Sequence, residues 1–252
     1  MSATSTTAPR VAIVTGAARG IGRAIALRLA KDGIDVGVND IPGTAVDEVV
    51  AEIRALGRKS CALSADVSDD KQVAEMVKKA VDTLGGIDIM VANAGIVRMT
   101  SFLDLTPEDF DKMLAVNTRG VLICYQHAAR QMIAQGRGGR LIAIPYLTSY
   151  GASKFAVRGI TQTAALELGE HGITVNCYAP GAVDTGVPVT GGEMSPTDLK
   201  AIQAITSVFG RAPVGRVAQP SEIAHLVSYL ASEQAAFVTG QTISINGGSH
   251  LS

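Results

Sequence analysis

The stretch "SYGASKFAVRGI" sets Tyr150 and Lys154 four residues apart. On a helix that spacing places both side chains on one face, about one turn apart. An ammonium beside a phenol stabilises the phenolate and lowers its pKa from about 10 toward working pH. A phenol tuned in this way gives a proton to a carbonyl oxygen or takes one from an alcohol. Alone, the pair reads as an incidental feature of an amphipathic helix. It gains meaning only beside a group that could supply the other half of a reaction.

A second cluster points to such a group. "VAIVTGAARGIGRAIAL" places Gly16, Gly20 and Gly22, with Ile21 between the last two, between a strand-like run and a helix-like one. Glycine lets a backbone turn tightly and approach a pyrophosphate, whose charge a helix N-terminus favours. Such turns also serve packing; the position between strand and helix is what favours a nucleotide. Asp40 ends the next apolar run. A carboxylate there accepts hydrogen bonds from the adenosine ribose hydroxyls. It also repels a 2′-phosphate by about 4 kcal/mol for unit charges about 4 Å apart at an effective dielectric of about 20. Arg19, inside the turn, pulls the other way, because a guanidinium there can meet a 2′-phosphate. NAD is the expected cofactor, with NADP as the alternative.

The elements that must position these groups alternate along the chain. Seven short apolar runs, "RVAIVT", "IDVGVND", "SCALSAD", "IDIMVAN", "RLIAI", "ITVNCYA" and "QTISING", are separated by segments such as "DKQVAEMVKKAVDTLG" with apolar residues every three or four positions. Strands alternating with helices predict an α/β, doubly wound Rossmann fold: a seven-stranded parallel sheet with helices on both faces. No repeat or linker divides the 252 residues, so one domain is expected over 1–252, with 1–9 as a flexible tail. Residues 184–218 are the longest stretch without a strand and read as a substrate lid.

Composition excludes several classes. Apolar residues make up 47% and charged ones 18%, which describes a globular chain rather than a disordered one. A net charge of −1, no basic run and no Trp argue against nucleic acid. No apolar run is long enough to span a bilayer, and the start lacks a secretory core, so a cytoplasmic protein is expected. Cys61, Cys124 and Cys177 read as buried apolar residues, and the four scattered histidines lack metal-ligand spacing, so no metal is expected.

Taken in order, "TGAARGIG" (15–22), "DV" (66–67), "NAG" (93–95), Asn117 in "VNTRG", Tyr150 with Lys154, "PGAVDT" (180–185) and "INGG" (245–248) resemble the short-chain dehydrogenase/reductase family over nearly the whole chain. The resemblance implies oxidoreduction between a carbonyl and an alcohol, a small-molecule substrate, and an assembly of four or two copies, built partly through the helices that hold Asn117 and Tyr150. It assigns catalysis to Tyr150, Lys154 and Asn117. Lys154 would also hold the nicotinamide ribose, and Asn117 would anchor a water that relays protons. For the cofactor it implies Asp66 and Val67 framing the adenine and Asn93, Ala94 and Gly95 lining the middle. Pro180, Gly181, Val183 and Thr185 would lie at the nicotinamide end, with Tyr150 and Lys154. Asn93 has a structural alternative, a side-chain bridge between strands, and Gly247 and Gly248 read as a terminal turn. "ASKFAVRGITQTAALELGEHGITVNCYAPG" is similar to acetoin/diacetyl reductases and 2,3-butanediol dehydrogenases, although 3-oxoacyl carrier-protein reductases share many of these words.

One part of the family's pattern is missing. It calls for a serine about a dozen residues before the tyrosine, to hydrogen-bond the substrate oxygen as charge develops. Counted from Asn117 the position falls at Pro145 or Tyr146; counted back from Tyr150 it falls in "GRGG". Neither holds a serine, and the segment is about nine residues short, a loss of one oxyanion donor worth on the order of 10²–10³ in rate. Three readings follow: an enzyme using Thr148 or Ser149 instead, a nucleotide-binding homologue without catalysis, or a shortened form of a competent enzyme. The geometry predicts a displaced or mobile Tyr150 hydroxyl, because Pro145–Ser149 spans at most about 18 Å.

Overall fold

The computed structural model describes residues 9–97, 103–144, 151–186 and 212–249. Seven parallel strands form one sheet: β1 (Val11–Val14), β2 (Asp35–Asp40), β3 (Ser60–Ser64), β4 (Ile89–Ala92), β5 (Gly139–Ala143), β6 (Ile173–Pro180) and β7 (Thr242–Ile245). Their order is β3-β2-β1-β4-β5-β6-β7. All seven apolar runs of the sequence are strands, and the doubly wound parallel architecture is as expected.

The seven strands form because helices cover both faces. α1 (Gly20–Lys31), α2 (Val46–Ala55) and α7 (Pro220–Ala231) pack on one face. α3 (Asp70–Leu84), α5 (Gly120–Gln135) and α6 (Gly151–Leu168) pack on the other. β1 divides its side chains accordingly, Ala12 and Val14 into the first layer, Val11 and Ile13 into the second. All four are buried, which is why the strand reads as a continuous apolar run rather than an alternating one. Among the described residues, no helix is long and apolar enough to cross a membrane.

A short helix, α4 (Pro107–Leu114), runs through a π-helical turn at Ala115–Arg119 into α5. Single π-turns inside helices widen the backbone locally and occur often at functional sites. This one carries Asn117.

Candidate cofactor cleft and active site

The chain leaves β3, β2 and β1 to one side and β4 to β7 to the other, so the order of winding reverses between β1 and β4. In an open α/β sheet a crevice forms at such a switch point, beyond the carboxyl ends of the strands. Of the residues expected for the cofactor, the described ones in the glycine turn, at Asp40, at Asp66 and Val67, at Asn93 to Gly95 and from Pro180 to Thr185 lie at or beyond the carboxyl ends of β1, β2, β3, β4 and β6.

The glycine turn joins β1 to α1. Gly16 and Gly20 have φ of +63° and +55°, a left-handed region where a side chain would be strained. Gly22 is required by contact: a Cβ there would lie 2.1 Å from the Gly16 carbonyl oxygen and 2.6 Å from Asn93 Nδ2. The start of α1 differs from those of α3, α4 and α7. Asp69 caps α3, Thr106 caps α4, and α7 has a capping box of Gln219 and Glu222. α1 begins at Arg19 with no side-chain cap and no acid in its first turn. Its first N–H groups and the positive end of its dipole are thus left for an anion. This cradle fits a pyrophosphate.

Asp40, at the end of β2, faces the same turn. Its Oδ2 accepts from Ala18 N at 3.1 Å and its Oδ1 from Ile41 N at 2.9 Å. Its neighbour Asn39 donates to the Leu63 and Ala65 carbonyls, which fixes the end of β2 against that of β3. Asp66 follows, its Oδ1 accepting from the Ser68 amide and hydroxyl at 2.8 and 2.7 Å, with Val67 buried beside it. Arg19 is exposed.

Asn93 is buried and bridges strands: its Nδ2 donates to the Thr15 carbonyl at 2.8 Å, and its Oδ1 accepts from the Tyr178 hydroxyl at 2.9 Å. The side chain therefore does what the strand-bridge alternative describes. Ala94 N donates to Thr15 Oγ1, and Gly95 is exposed at the crevice. Thr15 and Tyr178 went unrecognised in the sequence. Only the pairing of polar residues at the ends of two apolar runs could have signalled them.

At the end of β6, Pro180 is buried, and Gly181 N donates to the Ile245 carbonyl. Val183 packs into the α1/α7 layer, and Thr185 approaches to 3.5 Å from where a Cβ on Gly20 would lie. Gly247 and Gly248 have φ of +61° and +84° and form the terminal turn.

For the catalytic group, Asn117 is buried. Its amide is taken up by the Ile96 backbone, Oδ1 accepting from the N–H at 2.8 Å and Nδ2 donating to the carbonyl at 2.9 Å. These two bonds hold the π-turn against the chain that follows β4. The next residue, Thr118, donates through its hydroxyl to the Ser153 carbonyl at 3.3 Å. The π-turn thus sits against the first turn of α6, the turn whose backbone includes Lys154. Tyr150 and the segment Pro145–Ser149 lie outside the described residues, as does the expectation about the Tyr150 hydroxyl.

The two counts for the missing serine are separated by the fold. "GRGG" (136–139) lies at the opposite end of the sheet from the crevice, where Arg137 pairs with Asp88 at 2.6 Å just before β4. A hydroxyl there could not reach a substrate. Ile144, by contrast, directly follows β5, whose carboxyl end lies between those of β4 and β6, so a serine serving this crevice has to follow Ile144.

The cysteines are buried, and burial raises the Cys61 thiol and pushes Cys124 up to about 12, so neither is a nucleophile. Among the described residues, no group of histidines, cysteines and carboxylates could hold a metal.

Comparison with known proteins agrees with this geometry. Residues 16–250 match the family model described as enoyl-(acyl carrier protein) reductase. A short-chain dehydrogenase/reductase of Armillaria gallica is 48% identical, with 98% of each chain covered. The chain belongs to the short-chain dehydrogenase/reductase family. A short-chain dehydrogenase from Mycobacterium paratuberculosis, solved bound to NAD, superposes with a TM-score of 0.87 at 34% identity, covering 95% of this chain and 97% of that one. Acetoin dehydrogenase from Salmonella typhimurium superposes at 0.82 with 34% identity over 95% of each chain. The fungal alignment runs over 259 residues, against 252 in this chain. At least seven positions of that short-chain dehydrogenase/reductase therefore have no counterpart here.

Proposed function

We propose that this short-chain dehydrogenase/reductase binds NAD(H) and interconverts a small ketone of the acetoin or diacetyl type with its alcohol, at a rate lowered by the missing serine. The observation that carries cofactor binding is the start of α1, uncapped and cleared of side chains by Gly16, Gly20 and Gly22. When bound, the nicotinamide supplies or takes up the hydride. Gly16 to Gly22 hold the pyrophosphate, Asp40 the adenosine ribose, and Asp66 and Val67 the adenine. Asn93, Ala94 and Gly95 line the middle, and Pro180, Gly181, Val183 and Thr185 form the nicotinamide end. Tyr150 moves the proton at the substrate oxygen, Lys154 lowers its pKa and holds the nicotinamide ribose, and the turn of Asn117 orders a water behind Lys154. The Salmonella neighbour supports the substrate class.

The test is turnover. Reduction of diacetyl and acetoin and oxidation of butanediol should be slow but measurable, and Tyr150→Phe should abolish what there is. Turnover unchanged in Tyr150→Phe contradicts the assignment. A second reading, a nucleotide-binding homologue without catalysis, is favoured by the lack of a serine at Pro145 or Tyr146, where the family's pattern calls for one.

Asp40 favours NAD over NADP. Removing an ionic hydrogen-bond partner costs about 1.5–3 kcal/mol, so Asp40→Ala should weaken NADH binding about 10–100-fold. It should also narrow the gap to NADPH. An unchanged NADH:NADPH ratio in fluorescence titrations would leave specificity with Arg19.

The whole chain reads as one domain in which 184–218 is the lid. Its two ends are pinned side by side, Asp184 N donating to the Ala218 carbonyl at 2.8 Å; residues 187–211 lie outside the described residues. Three free cysteines and the absence of a spanning helix among the described residues fit a cytoplasmic protein. Phe155 and Leu166 on α6 are 76% and 87% exposed, which supports a homotetramer or homodimer through that helix. Phe155→Asp should shift the protein to a smaller species in sedimentation, and an unchanged mass would move the interface elsewhere.

A further inference from the structure

The residues assigned to the two ends of the cleft follow different strands, the pyrophosphate turn after β1 and the nicotinamide segment after β6. β4 and β5 lie between them. Two side chains, Tyr178 and Asn93, cross that distance in relay. Tyr178, on β6, is fully buried, and its hydroxyl donates to Asn93 Oδ1 at 2.9 Å, beyond the end of β4.

That bond decides which way the Asn93 amide faces. With Oδ1 turned to the hydroxyl, Nδ2 faces the carbonyls of Thr15 and Gly16 at 2.8 and 3.3 Å, groups that can only accept. The reversed amide would set oxygen against two carbonyl oxygens. The Gly16 carbonyl is held in turn between Asn93 Nδ2 and the bare α-carbon of Gly22. Thr15 Oγ1 accepts from the Asn93 and Ala94 amides at 3.0 and 2.9 Å, which fixes the end of β4 to the same turn. With its carbonyl turned inward, the glycine turn leaves the N–H groups that open α1 for the anion.

We propose that Tyr178 is a positioning residue for the cofactor: its hydroxyl orients Asn93 and thereby sets the phosphate-binding turn, from the strand that leads to the nicotinamide end. The proposal rests on the NAD(H) reading above. It also accounts for a cofactor cleft that does not depend on the shortened segment. In register Cys177 lies opposite Ala143, so Tyr178 passes the end of β5 at Ile144, before the segment begins.

The control is Tyr125, another buried tyrosine, whose hydroxyl donates to the Asn176 carbonyl at 3.3 Å on the other face of the sheet. Tyr178→Phe and Tyr125→Phe each remove one buried hydroxyl, and both should lower the thermal midpoint. In NADH fluorescence titrations, Tyr178→Phe should raise the Kd about tenfold, while Tyr125→Phe stays within about twofold of wild type. In an Asn93→Ala background, Tyr178→Phe should change the Kd by less than about twofold, because the link is already broken. Asn93→Asp is a second probe, since its carboxylate accepts from Tyr178 but cannot donate to the two carbonyls; it too should weaken binding. If wild type binds NADH and Tyr178→Phe binds equally well, or loses no more than Tyr125→Phe, the proposal is overturned. If folded wild type does not bind NADH, the cofactor reading itself fails, and the two results are distinct.

Discussion

Insertion of about nine residues carrying a serine directly after Ile144 is expected to raise kcat for diacetyl reduction by on the order of 10²–10³. The position follows from the sheet. Ile144 is the last buried residue of the β5 run, and β5 ends between β4, which leads to Asn93, and β6, which leads to Pro180. A hydroxyl placed there enters the crevice between the two ends of the cleft, whereas the "GRGG" loop lies at the other end of the sheet. The gain should fall in kcat, because a donor aimed at a developing oxyanion acts more strongly in the transition state than on the bound ketone. An alanine in place of the inserted serine separates the two contributions of the segment. If the alanine form recovers the same rate, the lost wall of the pocket matters and the hydroxyl does not.

The second large effect is expected at Gly22. Gly22→Ala would set a methyl 2.1 Å from the Gly16 carbonyl oxygen and 2.6 Å from Asn93 Nδ2. Neither neighbour can yield freely, because the carbonyl belongs to the turn itself and the amide is held by Thr15 and Tyr178. Overpacking of this kind costs about 1–3 kcal/mol, so the protein should still fold with a reduced thermal midpoint. The turn must shift to accept the methyl, and losing one hydrogen bond to the charged pyrophosphate costs about 1.5–3 kcal/mol, or about 10–100-fold in affinity. NADH affinity should drop by that factor while the sheet is preserved by circular dichroism. Near-normal affinity would mean that the anion is not bound at the start of α1.

Much of this was legible in the sequence because the relevant signals are local. A parallel strand buried on both faces leaves a continuous apolar run, and each of the seven runs is a strand. The glycine turn was legible for the same reason, since positive φ and close approach are demands on single residues. What escaped were side chains whose roles depend on strand order. Nothing near Tyr178 in sequence indicates that its hydroxyl meets Asn93, 85 residues earlier and two strands away. Asn117 was legible as a residue, yet its amide is engaged by Ile96, a partner that only the fold brings close. The absence of the serine was visible by counting, but two counts gave two places. The direction of the strands chose between them.

Every role assigned to this site requires that the cleft bind the dinucleotide. Titration of the unmodified protein with NADH, followed by fluorescence, should give a saturable signal with one site per chain that excess NAD displaces. A flat titration from folded protein would contradict it.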